Sequence, residues 1–189
     1  QRVAVLQAVS QQGEGEWTLV IEDDVFLDPA FDVAKAARFC RLAGIGYLRL
    51  YAKHLASPVH VAWLGRRELV RFRRAPMGTQ AYLISPSAAR NFVRSLRYMD
   101  RPIDWEMDRF WANGLLNYAI CPFPCLELNV GSSVSKRPSG ARRGASDRLG
   151  WVAWKIYQRT LRTLHNVCLR INDASIRRLY ASHGREPEF

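Results

Sequence analysis

In the segment WTLVIEDDVFLDP, residues 17–29, an apolar run that predicts a buried strand ends in three adjacent carboxylates. In a strand, side chains alternate between two faces, so Glu22 and Asp24 project to one side and Asp23 to the other. Ligands of open α/β sheets bind at strand ends, and crowded carboxylates repel one another unless a cation or a donor compensates. The triplet therefore favours a site for Mg²⁺ or Mn²⁺. The alternative is a capped turn whose acids bind backbone N–H groups or arginines.

Two further segments follow in order, MGTQAYLISPSAARNFV at 77–93 and RPIDWEMDRFW at 101–111. Together with LVIEDDVFLDPAF, they resemble glycosyltransferase family 25. This family contains bacterial lipopolysaccharide glycosyltransferases, many of them galactosyltransferases, and the collagen galactosyltransferases are related to it. The resemblance covers residues 1–135. It implies a GT-A-like fold, a nucleotide-sugar donor and an acidic metal motif of the D-x-D type.

By this resemblance, Glu22, Asp23 and Asp24 form the acidic donor-binding motif. Asp24 is then expected to bind Mn²⁺ or Mg²⁺ directly, and Glu22 to assist with the metal or with the ribose of the donor. The metal would neutralise the donor diphosphate and stabilise it as a leaving group.

The second segment places a glycine and two polar residues immediately before a predicted strand. Gly78 permits a tight turn or a close approach of the backbone to a ligand. Thr79 and Gln80 can offer hydrogen bonds to the donor or substrate. The alternative is an ordinary junction between a loop and a strand.

The third segment supplies a carboxylate apart from the metal motif. The family resemblance implies an inverting transfer, which needs a base to deprotonate the acceptor hydroxyl. Asp104 is the candidate base, and Glu106 and Asp108 are rivals. If the segment is helical, Asp104 and Asp108 lie one turn apart on the same face. Trp105 could stack on a sugar ring, although core packing is the commoner role of tryptophan.

Strand and helix patterns alternate through residues 17–130, which predicts a mixed α/β sheet flanked by helices. The first of these helices is expected to be capped by Asp28 and to end at Gly44. A later helix is expected to begin at Ser85 or Ser87. Family members usually begin with a further strand motif that this sequence does not contain. We therefore expect a GT-A-like (Rossmann-like) fold that is incomplete at its N-terminus.

We expect three parts: a glycosyltransferase domain at 1–130, a basic linker at 131–147 and a basic helical tail at 148–189. The formal net charge is +11, and residues 131–189 hold 12 of the 28 Lys and Arg residues against 4 of the 17 Asp and Glu residues. Such an uneven basic charge suits a polyanion: a nucleic acid, an anionic lipid or a phosphorylated glycan.

The tail contains a strongly amphipathic helical pattern. Its broad apolar sector comprises Trp154, Ile156, Tyr157, Leu161, Leu164, Val167, Cys168 and Ile171. A narrower basic and polar sector comprises Lys155, Arg159, Arg162, Asn166 and Arg170. This pattern is typical of a helix that lies in a membrane interface. The alternatives are an apolar face that packs on the domain, and a nucleic-acid contact, although no nucleic-acid-binding module is recognisable.

These observations predict a metal-dependent inverting glycosyltransferase that moves a sugar, galactose being the first candidate, from a UDP-sugar to lipopolysaccharide or another surface glycan. The alternative is a degenerate, non-catalytic relative that binds glycan or anionic lipid through its basic C-terminus. The expected partners are the nucleotide-sugar donor, a lipid-linked glycan acceptor and an anionic inner-membrane surface contacted through residues 148–180. The expected location is cytoplasmic and peripheral on the inner membrane, without specific nucleic-acid binding.

Overall fold

The computed structural model describes residues 2–13, 15–96, 102–128 and 145–182, and side chains of the last stretch from 150 to 181. The strands are β1 (Thr18–Ile21), β2 (Val25–Leu27), β3 (Tyr47–Arg49), β4 (Pro58–Leu64), β5 (Arg67–Phe72), β6 (Ala81–Ile84), β7 (Tyr118–Cys121) and β8 (Cys125–Glu127). The helices are α1 (Arg2–Ser10), α2 (Val33–Leu42), α3 (Pro86–Ser95), α4 (Ile103–Met107), α5 (Phe110–Asn113) and α6 (Ala145–Ser182).

Six strands form one mixed sheet in the order β1-β6-β3-β7-β5-β4. The pair β3–β7 is parallel, and the other neighbours are antiparallel. A separate antiparallel pair joins β2 to β8. The expected mixed α/β architecture with a C-terminal helix is therefore confirmed.

Helices cover both faces of the sheet. Successive residues of β3 point to opposite sides of the sheet, and they pack against different helices. Leu48 shares a core with residues of α2 and with Ile176 of α6. Its neighbour Tyr47 shares a second core with residues of α1 and α3, including Phe92. Strands β3 and β6 are accordingly buried along their whole length, whereas a strand with one solvated face would alternate.

The prediction that β1 is a buried strand is wrong. Its residues are only partly buried, and Ile21 is exposed. Among the described strands it pairs with β6 alone, which makes it an edge strand of the sheet. Its apolar composition therefore reflects one packed face rather than complete burial.

The predicted cap of α2 is also wrong by four residues. Asp32 is the N-cap, and its side chain accepts a hydrogen bond from the Lys35 N–H at 2.8 Å. Asp28 instead closes a turn and forms an ion pair with Arg67 at 2.5 Å. Both aspartates precede helix-favouring residues, so local pattern alone does not separate them.

The predicted ends of two helices are confirmed. Gly44, with a φ of +65°, follows the last turn of α2. Ser85 caps α3 and accepts a hydrogen bond from the Ala88 N–H at 3.2 Å, while Pro86 occupies the first turn, where its missing N–H costs nothing.

A buried ion pair fixes α6 to the sheet. Arg71 of β5 is buried and contacts both carboxylate oxygens of Asp173, at 2.9 to 3.0 Å. The hydroxyl of Tyr118 donates to the same carboxylate at 2.8 Å. Arg71 also donates to Asn166 at 2.6 Å. The helix is thus docked by a polar network together with its buried apolar residues Leu169 and Ile176.

The apolar sector predicted for the tail is not the face that packs on the domain. Ile156, Leu164 and Ile171 are exposed, the last by 75%. The helix begins at Ala145, inside the predicted linker, and residues 131–144 of that linker lie outside the described residues, as do residues 183–189. None of the described helices combines the length and the hydrophobicity needed to cross a bilayer.

Candidate functional site

Three chain segments meet at one end of the sheet, where β1 and β3 end and β6 begins. The Glu22 N–H, just after β1, donates to the Gln80 carbonyl at 2.8 Å, just before β6. The Leu50 N–H, just after β3, donates to the Ala81 carbonyl at 3.0 Å. The ends of β1 and β3 therefore flank the start of β6. The antiparallel pairing of β1 with β6 brings the acidic triplet and the Gly78–Gln80 segment together.

Arg2 of α1 links these two segments. Its guanidinium donates to the Thr79 hydroxyl at 2.8 Å and forms an ion pair with Glu22. The sequence prediction missed this residue. One signal in the sequence could have indicated it. Arg2 is a basic residue at the start of a helix, a position at which the helix dipole favours acidic side chains.

The triplet lies beyond the end of β1, and its residues form a turn in which the Val25 N–H donates to the Glu22 carbonyl at 3.3 Å, so the expected strand alternation does not apply to it. Glu22 and Asp24 are partly buried, whereas Asp23 is exposed. Burial raises the pKa of the Glu22 carboxyl above its usual value, and Arg2 opposes that rise. Asp24 and Glu127 raise the same pKa through their negative charges. These carboxylates therefore lie close enough to interact electrostatically.

Glu127 is a second residue that the sequence prediction missed. It pairs with Val25 across the β2–β8 ladder, and the following Leu128 N–H donates to the Asp24 carbonyl at 2.7 Å. The Tyr51 hydroxyl donates to the Glu127 carboxylate at 2.6 Å. Burial and this hydrogen bond raise the pKa of Tyr51 to about 12. The short β2–β8 sheet thus adds Glu127 as a third carboxylate beside Glu22 and Asp24.

Oδ1 of Asp24 and Oε1 of Gln80 are buried here and have no hydrogen-bond partner among the described residues. Buried acceptors without a donor are costly, and a cation or a ligand donor would satisfy them. Within the described residues, no three His, Cys, Asp or Glu side chains are grouped closely enough to hold a metal ion. Mg²⁺ commonly binds one or two carboxylates together with waters and substrate phosphates, so Asp24, Glu22 and Gln80 fit that kind of ion.

The glycine of the second segment is required by its backbone and its neighbours. Gly78 has a φ of +85°, and its carbonyl accepts a hydrogen bond from Arg49. A Cβ at this position would lie 2.7 Å from Oε1 of Gln80 and 3.1 Å from the backbone nitrogen of Lys53. The loop can therefore hold Gln80 against the strand end only because residue 78 has no side chain.

We expect Gly78→Ala to destabilise the protein more than Gly114→Ala. Gly114 has a similar φ of +74°, but no atom of the described residues lies within 4 Å of a Cβ built there. Its replacement should therefore lower the free energy of unfolding by only the left-handed backbone cost, about 1–2 kcal/mol. Urea unfolding of both variants measures the difference. Equal losses would show that the contacts around residue 78 do not constrain the loop.

The third segment contacts the second through Asp108. This residue is almost fully buried, forms an ion pair with the buried Arg49 and accepts the Met77 N–H at 3.0 Å. Burial raises the pKa of Asp108, and Arg49 opposes that rise. A carboxylate so enclosed has no face for an acceptor hydroxyl, which argues against Asp108 as the base. Its contacts instead hold the loop that contains Gly78.

The remaining residues of α4 are more accessible. Glu106 forms an ion pair with Arg109 at 2.8 Å. Asp104 is partly buried and makes no side-chain hydrogen bond or ion pair within the described part of the chain. Trp105 is about half exposed, so core packing, its commoner role, does not apply here. Of the three carboxylates of this segment, Asp104 is therefore the one whose oxygens are not occupied by a described side-chain hydrogen bond or ion pair.

These features define a mixed α/β protein with an acidic, partly buried site at the ends of adjacent strands. No family model, no curated protein and no solved structure matches the chain.

Proposed function

We propose that the protein is a metal-dependent, inverting glycosyltransferase of the GT-A type. It would move a sugar, with galactose the first candidate, from a UDP-sugar to lipopolysaccharide or another surface glycan. The observation that carries the proposal is the meeting of Glu22, Asp24 and Gln80 at one end of the sheet, with buried oxygens that lack donors among the residues described. The family resemblance of the three ordered segments supports the same function.

The residues of the site suit separate tasks in such a transfer. Asp24, Glu22 and Gln80 would hold Mn²⁺ or Mg²⁺, which when bound supplies Lewis-acid stabilisation of the leaving diphosphate. Thr79, already hydrogen-bonded to Arg2, lies beside these oxygens and can orient the donor. The positive charge of Arg2 would also favour a diphosphate over a neutral ligand.

The acceptor side of the reaction falls to α4. Asp104 would accept the proton of the acceptor hydroxyl as that oxygen attacks the anomeric carbon. The exposed ring of Trp105 offers a flat apolar surface on which a sugar can stack. Asp108 would position this helix by joining it to the loop of Gly78 through Arg49 and Met77. We further propose a cytoplasmic location, peripheral on the inner membrane, where lipid-linked acceptors are accessible.

Incubation of the protein with a panel of UDP-sugars tests the proposal, with UDP release as the readout. We expect release with at least one donor in the presence of Mn²⁺ and its loss on chelation with EDTA. If a protein shown to be folded by circular dichroism neither binds nor cleaves any UDP-sugar, the enzyme proposal is wrong.

One observation favours the second candidate, a non-catalytic relative. The ion pair with Arg2 already compensates one of the carboxylates that a metal would use. In a protein that no longer binds a metal, this contact would take the place of the ion. The binding of UDP distinguishes the two candidates, because only the enzyme would need Mn²⁺ in order to bind UDP.

A further inference from the structure

A basic cavity of about 320 Å³ lies between α6 and the end of the β4–β5 hairpin. Five arginines line it, two from the segment after β5 and three from α6: Arg73, Arg74, Arg159, Arg162 and Arg170. Thr163 and Asn166 also lie on this wall, but their side chains donate to backbone carbonyls of the protein. The five guanidinium groups supply the donors and the positive charge that suit a phosphate group, which offers several acceptor oxygens and negative charge.

The positive charge of the cavity has no carboxylate to balance it within the described residues. None of the five arginines forms an ion pair with a described Asp or Glu side chain. Burial and the charges of Arg74 and Arg159 lower the pKa of Arg162. Like charges in one cavity repel each other unless an anion binds among them.

Hydrogen bonds between lining residues, together with one from Arg71, fix the two walls of the cavity relative to each other. Asn166 accepts from the buried Arg71 at 2.6 Å and donates to the Arg73 carbonyl at 3.0 Å. The Arg73 N–H donates to the Ser57 carbonyl at 3.3 Å. The arginine side chains therefore converge from a preformed frame rather than from a single isolated helix face.

An apolar stripe adjoins the cavity on α6. We use this name for Ile156, Leu164, Val167 and Ile171, which recur at helical spacing and are all more than half exposed. Val167 belongs to both features, because it also lines the cavity. Apolar and cationic side chains side by side on one exposed helix are typical of helices that bind a membrane surface.

We infer that the arginine cavity binds the phosphate headgroup of an anionic phospholipid, while the apolar stripe enters the boundary between headgroups and acyl chains. A soluble phosphate would compensate the arginines but leave the stripe exposed. A second copy of the chain would cover the stripe but leave the arginines uncompensated. A lipid surface satisfies both features at once.

The cavity lies close to the candidate active site along the chain. Arg74 and Gly78 are four residues apart, so their Cα atoms are at most about 14 Å from each other. A bilayer bound at the cavity would therefore bring membrane-embedded acceptors near the proposed transfer site. The inference deepens the membrane location proposed above, but its test is independent of the proposed sugar transfer, because lipid binding can be measured without any sugar nucleotide.

Vesicle sedimentation tests the cavity with a matched pair of variants. The double variant Arg74→Gln/Arg159→Gln removes two cavity charges. The control Arg38→Gln/Arg66→Gln removes two exposed arginines outside the cavity that have no described partner. We expect the first to bind phosphatidylglycerol-containing vesicles about 30-fold more weakly than the unchanged protein, because each basic residue at an anionic surface contributes roughly fivefold. The control should change binding much less.

Three outcomes would overturn this inference. They are equal losses for the two double variants, undiminished binding to vesicles of phosphatidylcholine alone, and no binding of the unchanged protein to either vesicle. Equal losses would mean that net charge, rather than the cavity, governs the attraction.

The variant Ile171→Ser separates a lipid from a soluble phosphate or a second copy. It should weaken vesicle binding about tenfold, since burying an isoleucine contributes roughly 1.5–3 kcal/mol. The fold should be unaffected, because the side chain is exposed. Unchanged vesicle binding, with tight binding of inorganic pyrophosphate, would assign the cavity to a soluble ligand and overturn the inference. Loss of a dimer on size-exclusion chromatography with unchanged vesicle binding would also overturn it.

Discussion

Asp24→Asn is expected to lower metal-dependent donor cleavage by about 100-fold or more, the scale on which loss of a metal-site residue reduces affinity or activity. Oδ1 of Asp24 is buried without a hydrogen-bond partner in the described part of the chain, and Glu22 and Glu127 add negative charge around it. The asparagine keeps the shape of the side chain but removes the charge that a divalent ion requires. UDP release from the best donor at saturating Mn²⁺ measures the effect.

Asp23→Asn is the matched control for this prediction. It removes the same charge from the adjacent residue, whose side chain is exposed. We expect it to retain activity within about twofold, because an exposed charge is screened by solvent. If both variants lose activity equally, the local charge matters but the assignment of Asp24 as the ligand is incorrect.

Asp108→Asn is expected to destabilise the protein by about 3 kcal/mol or more, as for other buried ion pairs that lose one partner. The substitution leaves the guanidinium of Arg49 buried beside a neutral group. It also weakens the hydrogen bond from the Met77 N–H, and with it the loop that contains Gly78. The free energy of unfolding from urea denaturation measures the loss.

Asp104→Asn provides the contrast on the same helix. Asp104 makes no side-chain hydrogen bond or ion pair in the described structure, so its replacement should change stability by less than about 0.5 kcal/mol. If Asp104 is the base, the same variant should lose turnover while still binding the donor. Full turnover in this variant would move the role of base to Glu106. An unchanged stability of Asp108→Asn would contradict the positioning role given to Asp108.

Local patterns in the sequence were sufficient to predict much of the fold. The alternation of helices and strands, the cap at Ser85 and the helix end at Gly44 all follow from residues close together in the chain. The grouping of the acidic triplet with the Gly78 segment depends instead on the antiparallel pairing of β1 with β6, which local patterns do not indicate. The expected alternation of Asp23 with its two neighbours also failed, because the triplet lies in a turn after β1.

Long-range pairing explains what the sequence prediction missed. Arg2 and Glu127 join the site only through contacts with residues far away in the chain, namely Thr79 and Tyr51. Neither contact has a periodic signature. The side of α6 that packs on the domain was mispredicted for a related reason. The buried ion pair of Arg71 and Asp173 docks the helix through polar groups. Hydrophobic periodicity indicates an apolar face, but it does not identify what that face contacts.

The burial of Asp108 illustrates the same limit within one short segment. Asp104 and Asp108 are equivalent by type and by helical spacing. The structure separates them because Arg49, itself buried in the central strand β3, reaches only Asp108. Burial of a charged residue depends on a partner from another element, which composition and spacing do not reveal.

Titration calorimetry of UDP with and without Mn²⁺ tests the central claim most directly. We predict that UDP binds the unchanged protein and Asp23→Asn only when Mn²⁺ is present, and that Asp24→Asn does not bind it under either condition. Binding of UDP that is independent of both Mn²⁺ and Asp24 would contradict the account.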